Sequence, residues 1–167
     1  MLLTRKRFFC LLLPLLAFAF VTDWQKLQID LRASIYFPAQ PTQDKETLWS
    51  LDADSAKYLL KIDDLSKRGL DSARAAKVLE TPGILDGFSK GFLSGEGSVL
   101  ISKKASTWRG YTMFEYEVDP GKRSQFKLLY AKLIFVGTKV YSPAVFVKDK
   151  NQSLNDRQKF FNSFDLK

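Results

Sequence analysis

Residues 124–147, SQFKLLYAKLIFVGTKVYSPAVFV, restrict the fold of this chain more than any other stretch, because two apolar runs flank Gly137-Thr138. A glycine at the first of two central loop positions suits a type II′ turn, so the pattern predicts a tight hairpin. The register follows: Val136 opposite Lys139, Phe135 opposite Val140, Ile134 opposite Tyr141, Leu133 opposite Ser142 and Ala131 opposite Ala144. Side chains alternate along a strand, so one face carries Leu129, Ala131, Leu133, Phe135, Val140, Ala144 and Phe146, with Ser142 its single polar member. That face must be buried. The other carries Leu128, Tyr130, Ile134, Val136, Tyr141, Pro143 and Val145, broken by Lys132 and Lys139, and reads as partly covered and partly wet. A sheet covered on both sides is therefore expected.

The remaining elements fall into place around this hairpin. Residues 24–31 are a short amphipathic lead-in, and Ala33-Ser34-Ile35-Tyr36-Phe37 is a strand stopped by Pro38 and Pro41, neither of which can donate to a ladder. Residues 47–51 and 56–62 are further strands around the turn at 52–55, so the first third reads as a meander. Asp71 or Ser72 caps a helix running to Glu80. Thr81-Pro82 then predicts a second helix with proline at its first position, carrying Ile84, Phe88 and Phe92 on one stripe and Gly83, Gly87 and Gly91 on consecutive turns. Those glycines read as small residues where the helix approaches the sheet closely. Strands at 99–103 and 111–118 follow, with Asp119-Pro120-Gly121-Lys122 as a turn. A closing helix capped by Ser153 or Asn155 presents Leu154, Phe160, Phe161 and Phe164. Strands, helices, strands and a helix make an α+β pattern: an antiparallel sheet with helices packed on both faces.

The first residues read as a targeting segment. Arg5-Lys6-Arg7 precedes an apolar run from Phe8 to Phe20, and Ala17-Phe18-Ala19 has the small-x-small pattern of a signal peptidase site. Residues 1–19 are expected to be a signal peptide, 20–32 a lead-in and 33–167 one domain; an uncleaved anchor is the alternative, although Pro14 interrupts the run. Cleavage removes Cys10 and three of the 26 Lys and Arg residues, leaving 23 basic against 18 acidic groups. Residues 20–167 then contain neither Cys nor His, which excludes a thiol nucleophile, a disulfide, a Ser-His-Asp triad and a zinc site built on imidazole or thiolate. The surplus charge sits late: residues 101–167 hold 13 basic and 6 acidic groups. Such a half either meets an anionic surface or simply solvates the sheet edges.

Four pieces together resemble a known pattern. Residues 35–41, IYFPAQP, resemble an FxxxFPxxP opening, and Arg109-Gly110-Tyr111 leading into Phe114-Glu115-Tyr116 resembles a strand entered from a glycine turn. KLIFVGTKVY (132–141) is similar to an R-x-x-x-V-G-N-R-x-Y hairpin, and residues 160–166 to a closing F-x-x-S-F-x-L helix. The set, over residues 33–166, resembles the PsbP-like group of the Mog1/PsbP/DcrB fold. The resemblance implies an α/β/α sandwich and non-enzymatic roles, since members bind other proteins. Thr138-Lys139 stand where Asn-Arg is commoner, and no histidine-dependent site of photosynthetic members can be carried over, so no functional residue is transferred.

Two groups of residues are candidate sites. Glu115, Glu117 and Asp119 share a strand face and could hold Ca²⁺, but read more simply as a wet face balanced by Lys103, Lys122 or Arg123. Tyr130, Lys132, Lys139 and Tyr141, with Tyr111 or Tyr116 from a neighbouring strand, form the candidate binding surface, unless a helix such as 72–93 covers the tyrosines. No catalytic residue, metal or cofactor is assigned. The sequence reading is a non-catalytic exported protein, periplasmic or extracellular, that binds an envelope protein or an anionic membrane surface, and no nucleic acid. The alternative is a carrier of a small apolar or amphiphilic ligand between the sheet and the helices of 72–93.

Overall fold

The computed structural model describes residues 23–93, 95–149 and 154–167. The expected leader lies outside them, as does Ser153. In chain order the described elements are β1 (Gln25–Gln28), β2 (Ala33–Phe37), β3 (Thr42–Lys45), β4 (Leu48–Asp52), β5 (Ala56–Asp64), a 3-10 turn (Leu65–Arg68), α1 (Ser72–Leu79), α2 (Ile84–Ser89), β6 (Val99–Trp108), β7 (Tyr111–Asp119), β8 (Leu128–Val136), β9 (Lys139–Val147), α3 (Leu154–Asn162) and β10 (Asp165–Leu166). Seven strands form an antiparallel main sheet in the order β3-β4-β5-β9-β8-β7-β6, and β1-β2-β10 form a small second sheet.

The predicted hairpin, β8–β9, sits in the middle of the main sheet. Val136 pairs with Lys139, Phe135 with Val140, Ile134 with Tyr141 and Ala131 with Ala144, the register expected from the sequence. Gly137 has φ +61° while Thr138 has no positive φ, as a type II′ turn requires. Both faces of the sheet are buried, but by different material.

Over one face lie the small sheet and α3. Ile35, Phe37 and Phe160 are wholly buried there, with Phe164 beside them. Phe160 meets Phe37 and Tyr58 edge-on at centroid distances of 5.1 and 5.2 Å, and Phe164 packs on Tyr141 and Trp108. Such T-shaped pairs add to what area burial alone supplies. The lead-in thus carries a strand that completes this layer, since Gln25–Gln28 pair with Ser34–Phe37.

α1 and α2 cover the opposite face. Asp71 caps α1 by accepting from Arg74 N at 2.8 Å, as expected. The second helix is shorter than predicted. Thr81 bonds back to α1, its N–H to Val78 O at 3.1 Å and its hydroxyl to Lys77 O, so it ends one helix and does not cap the next. Gly83, in the left-handed region at φ +80°, is the N-cap, and Pro82 stays in the turn. Of the three spaced glycines only Gly87 lies within the helix.

The C-terminus also departs from the expectation. Asn155 is inside α3 and Leu154 is half exposed, and the helix stops at Asn162. Ser163 Oγ accepts from Tyr36 N at 3.0 Å and donates to Phe160 O at 2.7 Å, which turns the chain so that Asp165 and Leu166 pair with β2. The F-x-x-S-F-x-L segment is a helix end plus a strand. Among the described residues no helix is long and apolar enough to cross a membrane.

Candidate functional site

α2 is fastened to only one half of the sheet it covers. Phe88 packs against Phe114 and Phe135 at 5.9 and 5.3 Å, Phe92 against Tyr116 at 5.1 Å, and the Tyr116 hydroxyl donates to Leu85 O at 2.9 Å. Asp86 forms an ion pair with Lys103. All of these anchors belong to β6, β7 and β8. The 3-10 turn is pinned separately, where Leu65 N donates to Thr138 O at 2.7 Å. Between the two attachments the β5–β9 half of the face is roofed only in part: Val140 and Ala144 are buried, while Leu59, Ser142 and Phe146 are half-buried.

The result is a cleft of 450 Å³, within the range of small-molecule sites. Its floor is Leu59, Leu129, Ala131, Leu133, Val140, Ala144 and Phe146, and its wall is Gly87, Phe88, Gly91 and Phe92. Lys61, Asp63, Arg68 and Ser142 supply its polar groups. Small side chains on the floor and glycine on the wall leave the space open: a Cβ placed on Gly87 meets no heavy atom within 4 Å. The glycine there does not serve a close helix–sheet approach, contrary to the reading from its spacing. Burial pushes the Tyr116 hydroxyl up to about 12, so it remains a neutral donor beneath α2.

The four candidate residues of the hairpin lie on the other face, and the structure divides them into two pairs. Lys139 Nζ and the Tyr141 hydroxyl both bond Asp30 Oδ2, at 2.7 and 2.9 Å. Asp30 also accepts from Arg32 N and Ala33 N at 2.8 Å each. Burial raises the Asp30 carboxyl, but the bond from Lys139, the two backbone bonds and that from Tyr141 outweigh it and hold the group well below the usual carboxylate range. Tyr141 is buried, and that burial together with the bond to Asp30 pushes its hydroxyl up. Tyr130 instead lies under the Arg157 guanidinium at 3.6 Å, and Lys132 sits between Glu115, at 3.4 Å, and the ring of Phe161. α3 and the N-terminal segment cover this face; the helices of 72–93 lie on the opposite one. Tyr116 points to those helices, and Tyr111 stacks on Trp108.

Two of the three alternating carboxylates have separate roles. Glu115 pairs with Lys132 and not with Lys103, Lys122 or Arg123, while Asp119 accepts from Gly121 N at 2.9 Å to shape the turn. Among the described residues no group of three or more His, Cys, Asp or Glu side chains could hold a metal ion. The sequence reading offered the space between the sheet and the helices of 72–93 as its alternative site, with Phe92 on the helix stripe, but missed Lys61 and Arg68 at its edge and the clamp at Asp30. The traces that could have found them are the lone polar Ser142 on an otherwise apolar face and the small residues Ala131, Ala144 and Gly87 aligned with it.

No protein-family model and no curated protein sequence matches the chain. Solved structures do. Cyanobacterial PsbP (CyanoP) from Synechocystis sp. PCC 6803 is similar with a TM-score of 0.50 at 11% identity, over 88% of this chain and 94% of that one. PA94 of Pseudomonas aeruginosa, described as a putative regulator of unknown function, gives 0.41 at 12% identity over 74% and 82% of the two chains. The Saccharomyces cerevisiae Ran-binding protein Mog1p gives 0.43 at 9% identity over 85% and 95%. The chain has the PsbP/Mog1-type α+β fold, a likeness of fold that rests on CyanoP.

Proposed function

We propose that this PsbP-like chain is a non-catalytic binding protein of the cell envelope, and that its ligand is a small apolar or amphiphilic molecule held in the cleft between the main sheet and α2. One observation carries this reading: a cleft of 450 Å³ remains between the apolar floor of β5, β8 and β9 and the helix layer beside it. An apolar cleft with a few polar groups at one edge is the ordinary form of a small-molecule site. Export is supported by the basic residues 5–7, the apolar run and the Ala17-Phe18-Ala19 site. The absence of His and Cys from residues 20–167 supports a binding role over catalysis. The test is native mass spectrometry of the protein recovered from the envelope fraction. A chain beginning at Phe20 with a small adduct, lost in Gly87→Leu, is expected; a protein that retains residues 1–19, or that never carries an adduct, contradicts the corresponding part.

A second reading has its own observation. A groove of 380 Å³ along α3 gathers Tyr130 and Lys132 with Lys104, Glu117 and Arg157. An envelope protein or an anionic membrane surface would meet these groups, with Lys139 and Tyr141 joining only where the N-terminal segment, and Asp30 with it, leaves them. Loss of a captured partner in Lys132→Glu, with cleft binding intact, would favour this reading.

A further inference from the structure

We infer that the cleft takes a single-chain anionic amphiphile, its chain along the β8–β9 floor and its head group on Arg68, an assignment that rests on the cleft being the binding site. The cleft is polar at one end only. Along the paired strands β5 and β9, Leu59 faces Ala144, Lys61 faces Ser142 and Asp63 faces Val140, so polarity rises towards the 3-10 turn that bears Arg68. Towards the other end the floor is Leu129, Ala131, Ala144 and Phe146, with no charge.

The sign of the polar end is positive. Lys61 and Asp63 neutralise each other at 2.9 Å, and Asp63 is the single carboxylate of the lining. Arg68 has no ion-pair partner among the described residues, and the Ser142 hydroxyl has no hydrogen-bond partner among them. Within the cleft lining a cationic head group would find no carboxylate other than the paired Asp63, Glu46 and Asp64 lining the adjoining groove beyond Arg68, and a neutral head group would leave Arg68 unused. A carboxylate or phosphate monoester matches the planar donor fork of an arginine. The turn that presents Arg68 is held in place: Asp64 Oδ1 accepts from Ser66 N at 2.9 Å at its start, and Leu65 is tied to Thr138. The 450 Å³ of the cleft lies within the range of small-molecule sites, which suits one medium-length chain.

The experiment is a set of titrations of the full-length protein with three twelve-carbon probes below their micelle concentrations: dodecanoate, dodecanol and dodecyltrimethylammonium. Dodecanoate is expected to bind about tenfold tighter than dodecanol and the ammonium weakest, with the margin shrinking as salt rises. Arg68→Gln should erase the margin for dodecanoate while leaving dodecanol unchanged. Equal affinities, tighter binding of the cation, or a margin that survives Arg68→Gln overturns the head-group assignment while the cleft remains a binding site. Failure of all three probes to bind overturns the cleft reading itself.

Discussion

The two faces of the main sheet are built from the same strands and end in opposite conditions. On the face of Tyr58, Ile134 and Tyr141, a second sheet and α3 meet in a continuous aromatic cluster around Phe37, Phe160 and Phe164. On the face of Phe114, Phe135 and Val140, α2 has six residues and spans about 9 Å. Seven strands at about 4.8 Å spacing span roughly 29 Å. A helix so short cannot by itself roof such a sheet, and with its anchors on β6 to β8 a cleft remains over the β5–β9 half, above the buried Val140 and Ala144. The comparison teaches that burial predicted from a strand pattern tells which side faces inward, not whether a neighbour of sufficient size arrives to fill it. On the proposed reading, the fully packed face supplies stability and the partly roofed one supplies the binding site.

Phe160→Ala attacks the sealed face most directly, and urea unfolding should show a loss of about 3–5 kcal/mol, because a cavity opens among Phe37, Tyr58 and Phe161. A loss below about 1 kcal/mol would break the contrast between the faces. Asp30→Asn comes next, at about 2 kcal/mol, since it removes the charged acceptor shared by Lys139 and Tyr141. The folded carboxyl lies below its unfolded value, so its contribution is complete above a pH of about 4 and is lost as pH falls further. Acid unfolding curves should show the wild type losing stability in that range while Asp30→Asn lacks this component. Ser106→Ala sharpens the comparison in the other direction. Ser106 Oγ is buried with no hydrogen-bond partner on the strand beside Met113, and its removal should raise stability by about 1 kcal/mol in the same assay. The smallest thermodynamic effect belongs to the open face: Gly87→Leu should leave stability unchanged or raise it by about 0.5–1 kcal/mol. Probe binding should nonetheless fall at least tenfold, because the new side chain occupies the cleft.

The sequence was most legible where local rules act alone. Gly137-Thr138 and the alternation around it specify the hairpin, its register and its two faces, and Asp71 marks the start of α1. What failed needed knowledge of distant neighbours. β1, β3 and β10 are short, and β3 is the wholly exposed TQDK, so no apolar period announces them. Thr81 could have capped forward or bonded backward, and the left-handed Gly83 decided for the latter. The faces of the hairpin were separable from the pattern, but their roles were not: the face with two lysines holds the aromatic cluster, and the face apolar except for Ser142 holds the cleft. Tyr130, Lys132, Lys139 and Tyr141 share a sheet face as expected, yet they answer to two different neighbours, Asp30 and α3, which lie about 110 and 20 to 30 residues away in the chain.

If this protein binds its ligand in the cleft over β5 and β9, amide shift mapping during titration of the isotope-labelled full-length protein with dodecanoate will locate it there. The largest shifts are expected at Leu59, Gly87, Ser142 and Ala144, with Phe37 and Phe160 silent. Shifts concentrated on β6 and α3, or none at saturating probe, would contradict that location.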